Sequence, residues 1–198
     1  MIKDPNLVKY SNKVVRSAQR LSLLEQRILY SAIAKSPADH QITCEDVFYL
    51  RLEELRRLGG AVSNDTYQQL KDAAINLMRR FITLSPKDRE KGMTWVFPWC
   101  QSAGYNEELG MIAIRFSHDI LPYLKGVRER FIQYDLEEIT GFRSVYTQPL
   151  YARLMLHMRN KDNGGIKQRW SETIPLDELR PTLDAEKYTA FGQFKLRV

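Results

Sequence analysis

The chain has 198 residues, 43% hydrophobic and 27% charged, with a formal net charge of +6. That length holds one large or two small domains, and the composition excludes a disordered or collagen-like chain. Cys44 and Cys100 lie too far apart for a paired metal-ligand motif, which fits a reduced, cytoplasmic interior, and the basic excess points to a polyanionic partner.

Residues 1–20 set Lys3, Lys9, Lys13, Arg16 and Arg20 against one acid, Asp4. They read as a basic N-terminal arm, flexible or loosely packed. The opening MIKDPNLVKYSNKVVR has no apolar stretch of the signal-peptide kind, and no run in the chain is long enough to span a bilayer. Ser22 and Glu25 form a capping box, and Leu24, Ile28, Leu29 and Ile33 give one apolar stripe, so SLLEQRILYSAIAK is a helix. DVFYLRLEELRRLGG begins as a strand and becomes a helix that Gly59-Gly60 stops. SNDTYQQLKDAAINLMRRF is a longer helix with Tyr67, Leu70, Ala73, Ala74 and Leu77 inward, and FITLSP follows as a strand. MTWVFPWCQSAGYNEELGMIAIRF reads as two strands around a turn at Asn106–Gly110. SHDILPYLKG is a short helix, FIQYDLEEITGF a strand then a short helix, and SVYTQPLYARLMLHM an amphipathic helix before the loop RNKDNGG.

Two helices joined by a short turn and followed by a β-hairpin is the order of a winged helix. The order begins again further on. LEELR at Leu52–Arg56 has a counterpart in LDELR at Leu176–Arg180, and each is followed by a turn and a helix opening with tyrosine. From Tyr67 apolar residues fall at Leu70, Ala73 and Leu77, and from Tyr188 the same offsets give Phe191, Phe194 and Val198. Those offsets keep side chains on one helical face, so both helices are expected to pack alike on the short helix before them. The expected fold class is α+β, with tandem winged-helix domains, the second truncated inside its recognition helix. The expected organisation is an arm at 1–20, a first domain at 21–130 and an incomplete second domain at 131–198.

Catalytic patterns are missing. His40, His118 and His157 are scattered, with no His-x-His pair for a nicking enzyme. NGGIK is a turn with a lysine after it and not a phosphate loop, and SPKDREKG reads as a solvated loop. Glu53-Glu54 and Glu137-Glu138 sit at helix starts, where they suit the helix dipole. No catalytic residue, metal or cofactor is expected.

The remaining chemistry is that of DNA binding. The face opposite Phe191, Phe194 and Val198 carries Thr189, Gly192, Gln193 and Leu196, flanked by Lys195 and Arg197. Glutamine pairs with adenine edges and arginine with guanine, and Gly192 allows close approach. Lys187, Arg169 and Lys167 suit phosphates. The first copy offers Gln68, Gln69, Lys71 and Arg79, offset by Asp65 and Asp72. Its hairpin gathers Trp95, Phe97, Trp99, Tyr105, Met111 and Ile112, either as core or as a surface for a sheet pairing across a two-fold axis.

Several motifs in order resemble one family. SNKVVRSAQRLSLLEQRILYSAIAK, GMIAIRFSHDILPYL, FIQYDLEEITGFRSVYTQPLYARLM and IPLDELRPTL before YTAFGQFKLRV are similar to the plasmid replication initiators of the Rep_3 type, which bind directly repeated origin sequences called iterons. The resemblance implies two winged-helix domains in a bacterial cytoplasmic protein. The first would support a homodimer and some backbone contact; the second would read the iteron through the helix beginning at Tyr188. It implies monomers that bind iterons, dimers that bind an operator inverted repeat and repress the initiator's own gene, and a host replication initiator and replicative helicase as partners. The chain departs from the family at Leu183-Asp184, where Leu-Gly is usual, and Pro149 requires the first turn of its helix to lie there. A winged-helix repressor without origin function, and a dimerisation or inhibitor fragment, are the alternatives.

Overall fold

The computed structural model describes residues 6–36, 40–57, 66–84, 93–124, 127, 130–139, 141–158 and 173–197. The Gly59-Gly60 stop, SPKDREKG, RNKDNGG and NGGIK lie outside the described residues.

Helix α2 (Leu23–Lys35) starts as its sequence dictates. The Ser22 hydroxyl accepts from the Glu25 N–H at 3.3 Å, and the Glu25 carboxylate accepts from the Ser22 N–H at 2.6 Å. Ile28, Leu29 and Ile33 are fully buried beneath it. Strand β3 (Phe48–Arg51) leads into α3 (Leu52–Arg57), and α4 (Thr66–Leu77) buries Leu70, Ala73, Ala74 and Leu77 on the expected stripe. Strands β6 (Cys100–Asn106) and β7 (Met111–Phe116) form the hairpin, and β3 pairs with β7 in the order β3-β7-β6. Phe48 faces Ile114 and Leu50 faces Ile112 across that ladder, so the inner face is apolar. Gly110, at φ 55, closes the turn in the left-handed region, and the Asn106 side chain accepts the Leu109 N–H at 2.9 Å.

The segment read as two strands contains three. Strand β4 (Phe81–Leu84) pairs with β5 (Trp95–Pro98), not with the hairpin. Trp99 turns the corner. Its N–H donates to the Arg80 carbonyl and its own carbonyl accepts from Ser117, both at 3.0 Å, while its ring is fully buried. Alternation along the sequence does not register such a corner, because burial continues through it.

The basic arm is corrected from residue 7 onward. Strand β1 (Leu7–Ser11) pairs antiparallel with β8 (Phe131–Asp135), α1 (Asn12–Val15) follows, and β2 (Ala18–Gln19) joins β4. Val8 and Tyr10 point into the core, while Lys9 points out and lies 4.1 Å from the centre of the Phe131 ring. The one charge of β1, Lys9, sits on the outward face of a half-buried strand, and it reads as part of an arm when charges are counted rather than phased.

The β1–β8 ladder also corrects the division at residue 130. Ile132, Tyr134 and Ile139, beyond that point, belong to the main core, as do Ala152, Met155 and Leu156 of α5 (Thr147–Met158). Tyr146 and Leu150, at the start of α5, pack instead on a second small cluster. Pro149 is the third residue of α5, in the first turn, where its missing N–H has no partner to lose. Gln148 anchors this helix to the first unit. Its side-chain amide donates to the Tyr134 hydroxyl at 2.8 Å and lies 3.4 Å from that of Tyr10. Burial pushes the hydroxyls of Tyr10, Tyr30 and Tyr134 well above their ordinary range.

The two thiols report on this packing. Cys100 is buried, and desolvation pushes its thiol up to about 12, whereas Cys44 is partly exposed. At pH 8 about one Cys100 in ten thousand is thiolate. N-ethylmaleimide is expected to label one cysteine rapidly in native protein and the second only at the rate of unfolding, read by mass spectrometry.

Candidate nucleic-acid interface

The second unit consists, among the described residues, of α5, α6 (Leu176–Thr182) and α7 (Phe191–Arg197). Asp177 and Glu178 open α6 where its dipole favours acids. Buried Arg153 of α5 donates to Glu178 at 3.2 Å and so ties the two helices together. The end of α6 is a Schellman turn. The Ala185 N–H reaches the Arg180 carbonyl at 2.9 Å and the Asp184 N–H reaches that of Pro181 at 3.3 Å. Asp184 itself sits at φ 52, the left-handed position that glycine takes most easily. The departure from Leu-Gly therefore leaves this αL turn in place and puts a carboxylate on it.

The reading helix begins later than expected. Tyr188 and Thr189 precede α7, and Tyr188 packs edge-on against Tyr146, the residue just before α5, their hydroxyls 3.3 Å apart. Arg180 holds the approach. It donates to the Thr189 carbonyl at 2.8 Å, and its guanidinium lies 5.8 Å from the centre of the Phe194 ring. Phe194 is buried with Leu183 and Ala185, as the repeat implied. Phe191 is not: it is 60% exposed, because it is the first residue of α7 and the helical phase does not run back to Tyr188. The Val198 and Leu196 side chains lie outside the described residues.

Thr189, Gln193 and Lys195 are exposed, as expected of a reading face, and so is Lys187, whose Nζ stands 5.2 Å from the Tyr188 ring centre. Arg197 lies in α7 with its side chain outside the described residues, and Lys167 and Arg169 lie outside them entirely. A Cβ built on Gly192 meets no atom within 4 Å, so nothing inside the protein requires a glycine there. Gly192→Ala is expected to leave the melting temperature unchanged or higher, by up to about 1 kcal/mol of helix propensity. It should weaken duplex binding if DNA approaches that backbone.

The first copy is more occupied with itself. Lys71 lies 4.2 Å from the centre of the Tyr105 ring, and Gln68 donates to Asp72 at 2.8 Å. Arg79 is exposed but follows α4 in a turn closed by its N–H on the Asn76 carbonyl at 2.8 Å. Of the surplus aromatics, Phe97 and Trp99 are core, whereas Trp95 and Tyr105 are exposed. Sequence reasoning missed Arg180 and Arg153, because a cation inside LDELR or an amphipathic helix carries no mark of its acceptor. Among the described residues no group of three or more His, Cys, Asp or Glu is placed to hold a metal ion, and no helix is long and apolar enough to cross a membrane.

A helix, strand, two helices and hairpin, followed by a second helical set, define a winged-helix protein, a class in which the second helix can lie in a DNA groove. Residues 7–155 match the family described as Initiator Replication protein, WH1, and the chain belongs to that family. Similar Escherichia coli proteins include the PI protein, 22% identical over 96% of this chain and 66% of its own length. A replication initiation protein is 28% identical over 59% of this chain and 34% of its own, and an uncharacterized 27.6 kDa protein 23% identical over 74% and 65%. The chain thus spans just under two thirds of the length of two of these relatives and about a third of the other. The crystal structure of the Pi initiator protein in complex with iteron DNA shares the fold, with a TM-score of 0.70 and 20% identity over 93% of this chain and 75% of that one.

Proposed function

We propose that the chain is a plasmid replication initiator that binds double-stranded iteron DNA as a monomer through its second unit. As a homodimer joined through the first unit, it binds an operator inverted repeat and represses its own gene. It acts by recognition and by recruiting the host replication initiator and replicative helicase, with no catalytic step. The observation that carries this reading is α7, a short helix seated on Phe194 with Gly192, Gln193 and Lys195 turned to solvent. The likeness to an initiator crystallised on iteron DNA supports it. In this reading Gln193 and Arg197 address base edges, and Lys187, Lys195, Lys167 and Arg169 address phosphates. Thr189 lies beside them, and Lys71 and Arg79 add backbone contact from the first unit.

A second reading, an association module or inhibitor fragment, is favoured by one feature. Phe81 is 52% and Val96 58% exposed, close together on the outer face of β4 and the edge strand β5. Light scattering after size exclusion, with and without duplexes tiled from the replicon that encodes the chain, separates the two. A species that binds duplex with affinity falling steeply as salt rises supports the initiator. A dimer indifferent to every duplex supports the module. Lys195→Ala should lower the salt slope by about one, uniformly across sequences, whereas Gln193→Ala should relax preference at one base pair by about 1–3 kcal/mol.

A further inference from the structure

We infer that Asp184 and Arg20 form a tether that sets the orientation of the α6–α7 pair against the first unit, making Asp184 a positioning residue for DNA reading. The inference rests on the reading of α7 given above. Arg20 lies between β2 and the Ser22 cap of α2, in the first unit. Its Nε stands 3.2 Å from the Asp184 carboxylate, and its guanidinium reaches 4.0 Å from Glu186. Asp184 and Glu186 belong to the turn that delivers α7, and Leu183 and Ala185 beside them are buried in the second cluster. A movement of the carboxylate is therefore a movement of the helix pair.

Two further features single out this contact. Asp184 occupies a left-handed position where glycine would be easier, so the carboxylate is held at a conformational cost. The surroundings are also charged: desolvation, the largest effect, raises the Asp184 carboxyl above its ordinary range, Arg20 opposes the rise, Glu186 adds to it, and Lys187 and Arg80 offset part of it. The buried Gln148–Tyr134–Tyr10 cluster already fixes α5 to the first unit. Helix α6 also packs against β2, and the Arg20–Asp184 pair sits at the end of that contact, where it opposes rotation of α6 and α7 about α5. The pair is exposed, so its strength is that of a surface ion pair, enough to bias an orientation but not to hold the fold.

The test uses Asp184→Asn, which keeps the shape and tolerates the left-handed position, together with Arg20→Met and the double variant. Spin labels at Glu53→Cys and Asp177→Cys, in a Cys44→Ser background, report the distance between the units. Both single variants should broaden that distribution, leave the melting temperature within a few degrees, and weaken binding to the tiled duplexes about two- to fivefold with an unchanged salt slope. The double variant should be no worse than either single one. Tighter binding by Asp184→Asn, a salt slope reduced by about one in Arg20→Met, or additive losses would overturn the tether, the first two by making Arg20 a phosphate contact that Asp184 masks. Unaltered label distances would overturn it as well. If the unaltered chain binds none of the duplexes, the reading of α7 fails, while the label distances still decide the tether.

Discussion

Phe194→Ala is expected to abolish duplex binding while leaving the first unit folded. The second cluster rests on Leu183, Ala185 and Phe194, with Tyr146, Leu150, Leu176, Leu179 and Tyr188 partly buried around them. Phe194 is the largest of its buried side chains among the described residues, and its ring also faces the Arg180 guanidinium that fixes the Thr189 carbonyl. Truncating a buried phenylalanine costs about 3–5 kcal/mol, and a cluster this small has little stability in excess of that. Hydrogen exchange should show amides of α6 and α7 losing protection while those of α2 and β7 keep theirs. Phe191→Ala is the control: exposed, it should change stability by no more than about 0.5 kcal/mol. Equal losses from both phenylalanines would restore the phase in which each points inward, and would contradict the start of α7 at Phe191.

Glu25→Ala is expected to destabilise the first unit by about 2–4 kcal/mol, less than the loss of a fully enclosed ion pair because Arg80 keeps some water. The Glu25 carboxylate is 1% exposed and carries three bonds, one from the Ser22 N–H and a forked one from Arg80 Nε at 3.0 Å to each oxygen. Removing it takes away the carboxylate half of the α2 capping box and strips Arg80 of its acceptor, just where Arg80 also presents its carbonyl to Trp99. Urea unfolding should show a lower midpoint at unchanged slope. Glu54→Ala serves as the comparison. Its bridge to Lys35 is shorter, 2.7 Å, but exposed, and its loss should cost less than about 1 kcal/mol. An equal effect at both positions would mean that burial does not set the strength of these pairs.

The parts of this protein legible in the sequence are those that local chemistry decides. Ser22 and Glu25 announce the cap of α2 because both partners lie within one turn. The stripe through Leu70, Ala73, Ala74 and Leu77 announces α4, and the repeated LEELR and LDELR announce the second helical set. In the candidate interface, the burial of Phe194 between exposed Gln193 and Lys195 follows the same helical arithmetic, whereas Thr189 lies ahead of the helix.

What tertiary structure decided is where the chain pairs with itself at a distance. Val8 and Tyr10 become core only because β8, more than a hundred residues later, supplies the ladder that covers their backbone. Trp99 divides one expected strand into β5 and β6 because Arg80 and Ser117 hold its amide and carbonyl in two different sheets. Asp184 takes a left-handed turn and meets Arg20, across a separation that no spacing rule spans. A helix closes its hydrogen bonds four residues apart and so is determined by its own sequence. A strand, a buried amide or an ion pair needs a partner that only the folded chain brings within reach.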